Sequence, residues 1–204
     1  MANVASRPIP ETFSSVLLLN PTKYLGNLLL AGGLIQLFQK QCEQRNIEFR
    51  VVLDESFRDL VHNSLPPSAI FYYPRKLIAS SKGLARARHY LGFLSMLRSY
   101  KADIAFNIEE DTVAHRLTQF SGARYRLGCS TLRHTWGYDH VVPVNFNKRP
   151  VARKHRWFSY QEIFAVLGLP DSSPGYIQLQ PPPLSESTTT KLATLGLDFR
   201  LPIV

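Results

Sequence analysis

Apolar residues in this chain gather in short runs, and between the runs they recur at helical spacing. Ser15–Asn20 (SVLLLN) is such a run, closed by Asn20-Pro21, and it predicts a buried strand that ends in a loop. Gly26-Asn27 then offers a turn and an N-cap, after which Leu28, Leu29, Ile35, Leu37 and Phe38 fall on a helix running to Gln44. Phe49–Leu53 (FRVVL) predicts a second strand. The Leu65-Pro66-Pro67 break precedes a third, Ala69–Tyr73 (AIFYY). Leu84–Tyr100 reads as a basic helix with Leu91, Leu94, Met96 and Leu97 towards the core. Asp103–Ile108 (DIAFNI) is a fourth strand and Asp111–Phe120 a helix. Arg124–Leu127 and His140–Val144 are two more short strands. His155–Leu167 is an amphipathic helix ended by Gly168 and Pro170.

Strands alternating with helices predict an α/β fold with a doubly wound, mostly parallel, Rossmann-like sheet. Ligands of such sheets bind beyond the carboxyl ends of the strands. The loops that matter are therefore Pro21–Asn27, Asp54–Ser56, Pro74–Lys82 and Glu109–Thr112. Past Pro170 the pattern changes. Asp171–Gly175 and Pro181-Pro182-Pro183 flank a strand-like Tyr176–Gln180, Ser185–Leu195 reads as a short helix, and Leu201–Val204 resembles the start of a buried strand. The expected organisation is one domain over residues 1–170, a linker over 171–200 and the opening of a truncated second domain at 201–204.

With 45% hydrophobic and 19% charged residues, the composition is that of a globular chain able to bury a sizeable core. Cys42 and Cys129 have no metal-ligand or redox spacing and fit a reducing compartment. The first residues lack the pattern of a secretory signal. The most apolar run, Leu28–Phe38, is too short to cross a bilayer. A cytoplasmic location is expected.

Charge placement is more informative than the net +9. Arg75, Lys76, Lys82, Arg86, Arg88, Arg98 and Lys101 lie in a stretch without an acidic residue, between Asp59 and Asp103. Arg124 to Arg156 is a second basic stretch, opposed only by Asp139. Such clustering predicts a polyanionic partner, and a solvated surface that keeps the protein soluble accounts for it equally well.

Candidate chemistry sits in two of the carboxyl-end loops. In Asn20–Asn27, free N–H groups at a helix start can hold an anion and Lys23 adds a point charge, although an ordinary turn made possible by Gly26 would look the same. The glycine pattern matches neither nucleotide fingerprint. Glu109-Glu110-Asp111 follows the fourth strand; a general base fits there, and Asp111 reads better as a helix cap. His155 and Arg156 open the last long helix amid cations and could meet phosphate. The other histidines share no metal-site spacing, so no metal is expected.

Three segments then stand in register. VLLLNPTKYLGNLLLAGGLIQLF, YKADIAFNIEEDTVAHRLTQFSGARYRLG and KHRWFSYQEIFAVLGLP resemble, in order, the opening strand-loop-helix, the central strand-turn-helix and the His-Arg-led helix of glycosyltransferase family 9, the lipopolysaccharide heptosyltransferases. The resemblance covers most of Ser15–Pro170. It implies the N-terminal, acceptor-binding half of a two-domain GT-B glycosyltransferase that takes its nucleotide-sugar, ADP-heptose, on a second domain and needs no other cofactor or metal. The implied acceptor is a phosphorylated lipid A–core molecule, held by Lys23, Gly26, Arg124, Arg126, His155 and Arg156. The implied setting is the cytoplasm of a Gram-negative cell, with peripheral contact to the inner membrane.

One departure is central. The family has Gly-Asp where this chain has Gly26-Asn27, and that aspartate is the expected base. An amide cannot take a proton at neutral pH. After the fourth strand the family has Gln-Gly-Asn, and this chain has Glu109-Glu110-Asp111. The base is therefore sought at Glu109 or Glu110 instead of residue 27. The rival class is a non-catalytic module of the same fold that binds an anionic glycolipid. Nucleic-acid binding ranks last, because no interleaved aromatic-basic motif supports it.

Overall fold

The structure is a computed structural model that describes residues 7–61, 63–109, 111–130, 136–143, 156–168 and the single residues 177, 190 and 194. Among the described residues there are six strands: β1 (Ser15–Asn20), β2 (Glu48–Asp54), β3 (Ile70–Tyr73), β4 (Ile104–Asn107), β5 (Tyr125–Ser130) and β6 (His140–Pro143). They form one sheet in the order β3-β2-β1-β4-β5-β6, and every pairing is parallel. This is the doubly wound order, with its reversal between β1 and β4. The helices are α1 (Leu25–Gln44), α2 (Arg58–Val61), α3 (Arg75–Ser80), α4 (Gly83–Tyr100), α5 (Thr112–Phe120) and α6 (Arg156–Val166).

The two faces of β1 show why the sheet is covered on both sides. Val16 and Leu18 point into a core formed with α1 and α6, and Leu17 and Leu19 into a second core formed with α4 and α5. All four are fully buried, which explains a run of apolar residues without alternation. Phe38 of α1 ties the first core together. Its ring stands edge-on to Phe49 at 5.6 Å and Phe106 at 5.7 Å, and tilted to Phe164 at 5.3 Å.

Local differences from the expected elements have physical causes. Helix α1 starts at Leu25 with Tyr24 as its uncapped N-cap, so Asn27 lies inside the first turn and is not the cap. The expected loop 74–82 contains a short helix, α3. In α4 the inward face is carried by Phe93, Leu94 and Leu97, while Leu91 and Met96 are exposed. The periodicity had placed them one face out of phase. Most of the tail expected to be linker lies outside the described residues. Ile177 is described and is buried against α1, where a Cβ on Gly32 would come within 2.5 Å of the Ile177 Cβ. Only glycine permits that approach.

Candidate functional site at the switch point of the sheet

The carboxyl ends of β1 and β4 flank the point where strand order reverses, which is where open α/β sheets bind ligands. Two chain segments distant in sequence meet there. Asn27, in the first turn of α1, donates from Nδ2 to Oε2 of Glu109 at 3.2 Å. The other carboxylate oxygen, Oε1, accepts from the Tyr160 hydroxyl of α6 at 2.7 Å. Tyr160 is fully buried and Glu109 nearly so, at 8% exposure. The carboxylate is thus oriented from both sides, and each oxygen retains a second lone pair for a ligand proton.

A second set of contacts holds the Glu109 backbone. The last residue of β4, Asn107, donates from Nδ2 to the Glu109 carbonyl at 2.8 Å. Its Oδ1 accepts from the Tyr138 hydroxyl at 3.0 Å. The Nδ1 of His115 lies 3.0 Å from that hydroxyl. With the Tyr138 proton committed to Asn107, Nδ1 of His115 is the donor, which selects the Nδ1–H tautomer. The Tyr138 ring is seated on Gly128 of β5, where a Cβ would fall 2.3 Å from the ring. Gly128→Ala is expected to lose about 1–3 kcal/mol of stability by overpacking. In a domain of this length that is a fall of roughly 2–12 °C in melting temperature. An unchanged melting curve would show that the ring does not rest there.

The loops after β1, β2 and β3 are pinned by one arginine. Asp54, at the end of β2, is 2% exposed. Its Oδ1 accepts from the N–H of Ser56 at 3.0 Å and from the Ser56 hydroxyl at 2.8 Å. Its Oδ2 accepts from Nε of Arg75, whose other arm donates to the Pro21 carbonyl. The same guanidinium lies 5.4 Å from the centroid of the Tyr73 ring. Asn20, at the end of β1, is 1% exposed, and its amide atoms have no hydrogen-bond partner among the described residues.

The other expected site residues separate into three groups. Lys23 and Gly26 stay at the carboxyl end and are exposed; the Lys23 ammonium lies 5.1 Å from the centroid of the Tyr24 ring. Arg124 and Arg126 do not join them. Both lie at the start of β5, towards the amino edge of the sheet, because a parallel strand that begins there ends on the opposite side. Arg124 pairs with Asp103 at 3.2 Å and Arg126 with Asp139 at 3.4 Å. Glu110, His155 and the side chain of Arg156 lie outside the described residues. Asp111 caps α5 as expected, accepting from the Ala114 N–H at 3.2 Å.

The amino edge holds a cavity of about 540 Å³ beside Arg7, Phe13, Asp103 and Arg124. Its polar centre is structural. Asp103 accepts from the N–H and hydroxyl of Ser14 at 2.8 and 2.7 Å, and the Ser14 N–H in particular holds its carboxyl below the usual carboxylate range. Burial pushes the Cys42 thiol up to about 12, so it remains protonated and inert. Among the described residues, no cluster of three or more His, Cys, Asp or Glu could hold a metal ion, and no helix is long and apolar enough to cross a membrane.

No protein-family model matches this chain, and neither does any protein of curated function. Solved structures do. One is the E. coli heptosyltransferase WaaC with ADP-2-deoxy-2-fluoro heptose, at TM-score 0.56 and 17% identity, over 78% of this chain and 51% of that one. Another is a glycosyl transferase of family 9 from Veillonella parvula, at TM-score 0.61 and 15% identity, over 91% and 50%. A third is the E. coli ADP-heptose lipopolysaccharide heptosyltransferase II, at 0.54 and 14%, over 92% and 52%. The chain spans about half the length of the structures it matches. It has the Rossmann-like α/β fold found in GT-B glycosyltransferases.

Proposed function

We propose that this chain is the acceptor-binding half of a sugar transferase of the heptosyltransferase type. In this reading a heptose passes from ADP-heptose, held by a second domain, to a hydroxyl of a phosphorylated lipid A–core acceptor. The observation that carries the reading is the Glu109 carboxylate at the switch point, hydrogen-bonded to Asn27. The family resemblance puts an aspartate at position 27 and a glutamine at 109. Here the carboxyl and amide ends are exchanged across one hydrogen bond, so the pair keeps a proton acceptor in the same crevice.

The chemistry follows from that position. Glu109 takes the proton of the acceptor hydroxyl, whose oxygen attacks the anomeric carbon of the donor. The bond from that carbon to the diphosphate oxygen breaks and the nucleoside diphosphate departs. Asn27 and Tyr160 act on the carboxylate by aiming it, and Asn107 by setting the backbone that carries it. Nothing beyond the nucleotide-sugar is needed as a co-substrate. Lys23 and the exposed cations of the 75–101 stretch supply the charge that a phosphorylated acceptor calls for. The exposed Leu77, Leu84 and Leu91 beside Lys76, Lys82 and Arg88 suit work at the cytoplasmic face of an inner membrane.

Titration of the 204-residue chain with a phosphorylated lipid A–core fragment tests acceptor recognition. Binding is expected, and it should weaken as salt rises. Duplex DNA of equal charge should bind more weakly. Tighter DNA binding with a steep salt slope would overturn the acceptor assignment in favour of nucleic acid.

A further inference from the structure

His115 of α5 and Tyr138, two residues ahead of β6, are buried polar residues at 6% and 9% exposure. Their chain of contacts ends on the backbone of Glu109. Nδ1 of His115 meets the Tyr138 hydroxyl, the hydroxyl donates to Oδ1 of Asn107, and Nδ2 of Asn107 donates to the Glu109 carbonyl. Glu109 lies two residues past the end of β4, outside the strand pairing, so this contact is what ties its carbonyl to the sheet.

Only one polarity satisfies every link. The Glu109 carbonyl can only accept, so Asn107 turns its amide nitrogen to it and its oxygen to Tyr138. That oxygen takes the Tyr138 proton. The phenol oxygen is left to accept, and His115 holds its own proton on Nδ1. With the proton on the other ring nitrogen, a bare Nδ1 would draw the phenol proton away, and Asn107 would lose the donor that fixes its amide. The surroundings are shaped for the phenol. Gly128 leaves room for its ring. Gly137, just before it, has a φ of +76°, and a Cβ there would fall on the Gln119 side chain. The imidazole stands edge-on between two aromatic rings, with centroids 5.0 Å from Tyr138 and 5.1 Å from Trp136. Apolar side chains could fill the same space, but a satisfied polar network also specifies one orientation.

We propose that Tyr138 and His115 are positioning residues for Glu109. The Nδ1–H tautomer of His115 fixes the Tyr138 proton, that proton fixes the Asn107 amide, and the amide holds the turn that carries the carboxylate. The inference rests on Glu109 as the base of sugar transfer. Misplacing a reacting group by about 1 Å costs on the order of a hundredfold in rate, so a device that holds the turn acts on turnover.

Nitrogen NMR of the 204-residue chain in mildly alkaline buffer should show one His115 tautomer, with the proton on Nδ1. In the intact transferase, well below its melting temperature, Tyr138→Phe should lower kcat roughly tenfold to a hundredfold. The KM values for acceptor and donor should stay within about twofold, because binding groups are untouched. His115→Leu should act in the same way. His115→Asn, whose amide nitrogen can take the place of Nδ1, should keep most of the rate. Phe93→Leu, in the apolar core on the same side of the sheet, should lose stability and keep kcat. In a Glu109→Gln background Tyr138→Phe should cost nothing further, since both changes act through one carboxylate. A proton on Nε2 in place of Nδ1, wild-type kcat in His115→Leu, or a full further loss in the double variant would each overturn the positioning role. Loss of rate in Glu109→Gln with none in Tyr138→Phe would sink that role alone. Wild-type turnover in Glu109→Gln would bring down the base, and the positioning role with it.

Discussion

Glu109→Gln is expected to lower sugar transfer by about a hundredfold to ten-thousandfold in the intact transferase, the usual cost of removing a general base. The melting temperature should hardly move. A glutamine in that place still accepts from Tyr160 through its oxygen, and its amide can pair with Asn27 once the Asn27 amide turns over. Asn27→Asp alone has a different signature. It sets two carboxylates across a contact that now measures 3.2 Å. Like charges that close raise one carboxyl pKa. A carboxyl with a raised folded-state pKa favours the folded state at low pH, so this variant should lose stability as pH rises through that value. The exchanged pair Asn27→Asp/Glu109→Gln restores one carboxylate and one amide, and should recover stability and much of the rate. Unchanged turnover in Glu109→Gln would sink the relocated base. If transfer instead rose sharply in Asn27→Asp, residue 27 would be the proper seat of the base. No transfer by any of the forms would leave the fold as a glycolipid-binding module.

Arg75→Ala should be the most damaging single change to stability at this end of the sheet. It removes the only ion-pair partner that Asp54 has among the described residues and leaves a carboxylate that is 2% exposed. Breaking a buried pair from one side costs about 3–5 kcal/mol. The Arg75 side chain is 27% exposed, and the Ser56 hydrogen bonds to Asp54 survive, so the lower end of that range is expected. That corresponds to a fall of roughly 6–12 °C in melting temperature. Asp54→Asn in the Arg75→Ala background should regain part of the loss, because the stranded charge is gone. Urea unfolding of the three proteins measures this directly. A loss below 1 kcal/mol in Arg75→Ala would mean that water already reaches Asp54.

The sequence was most legible where near neighbours decide. The SVLLLN strand, the end of α1 at Gln44 and the Asp111 cap rest on apolar runs and turn chemistry within a few residues. The alternation of strands and helices then left the parallel sheet as the natural solution. Phase was less legible: Leu91 and Met96 of α4 are as apolar as Leu94, and only contact with the sheet selects which face turns inward. The α3 helix was missed for the same reason that short helices usually are. With Pro74 before it and no capping side chain, its six residues carry little local signal.

Within the site, the sequence by itself determined that carboxylates and amides stand at the carboxyl ends of β1 and β4. It also determined that residue 27 is an amide, whatever the rest of the chain does. Only the tertiary structure decided that Asn27 and Glu109, 82 positions apart, share a hydrogen bond. The same holds for Tyr160, 51 positions beyond Glu109, which looks from its neighbours like one more core aromatic of α6. Arg124 and Arg126 illustrate the converse. They belong to a basic cluster in sequence, yet parallel strands put the start and end of β5 on opposite edges of the sheet. Periodicity and turn chemistry act over a few residues. A hydrogen bond across a doubly wound sheet depends on strand order and helix packing, which no local pattern encodes.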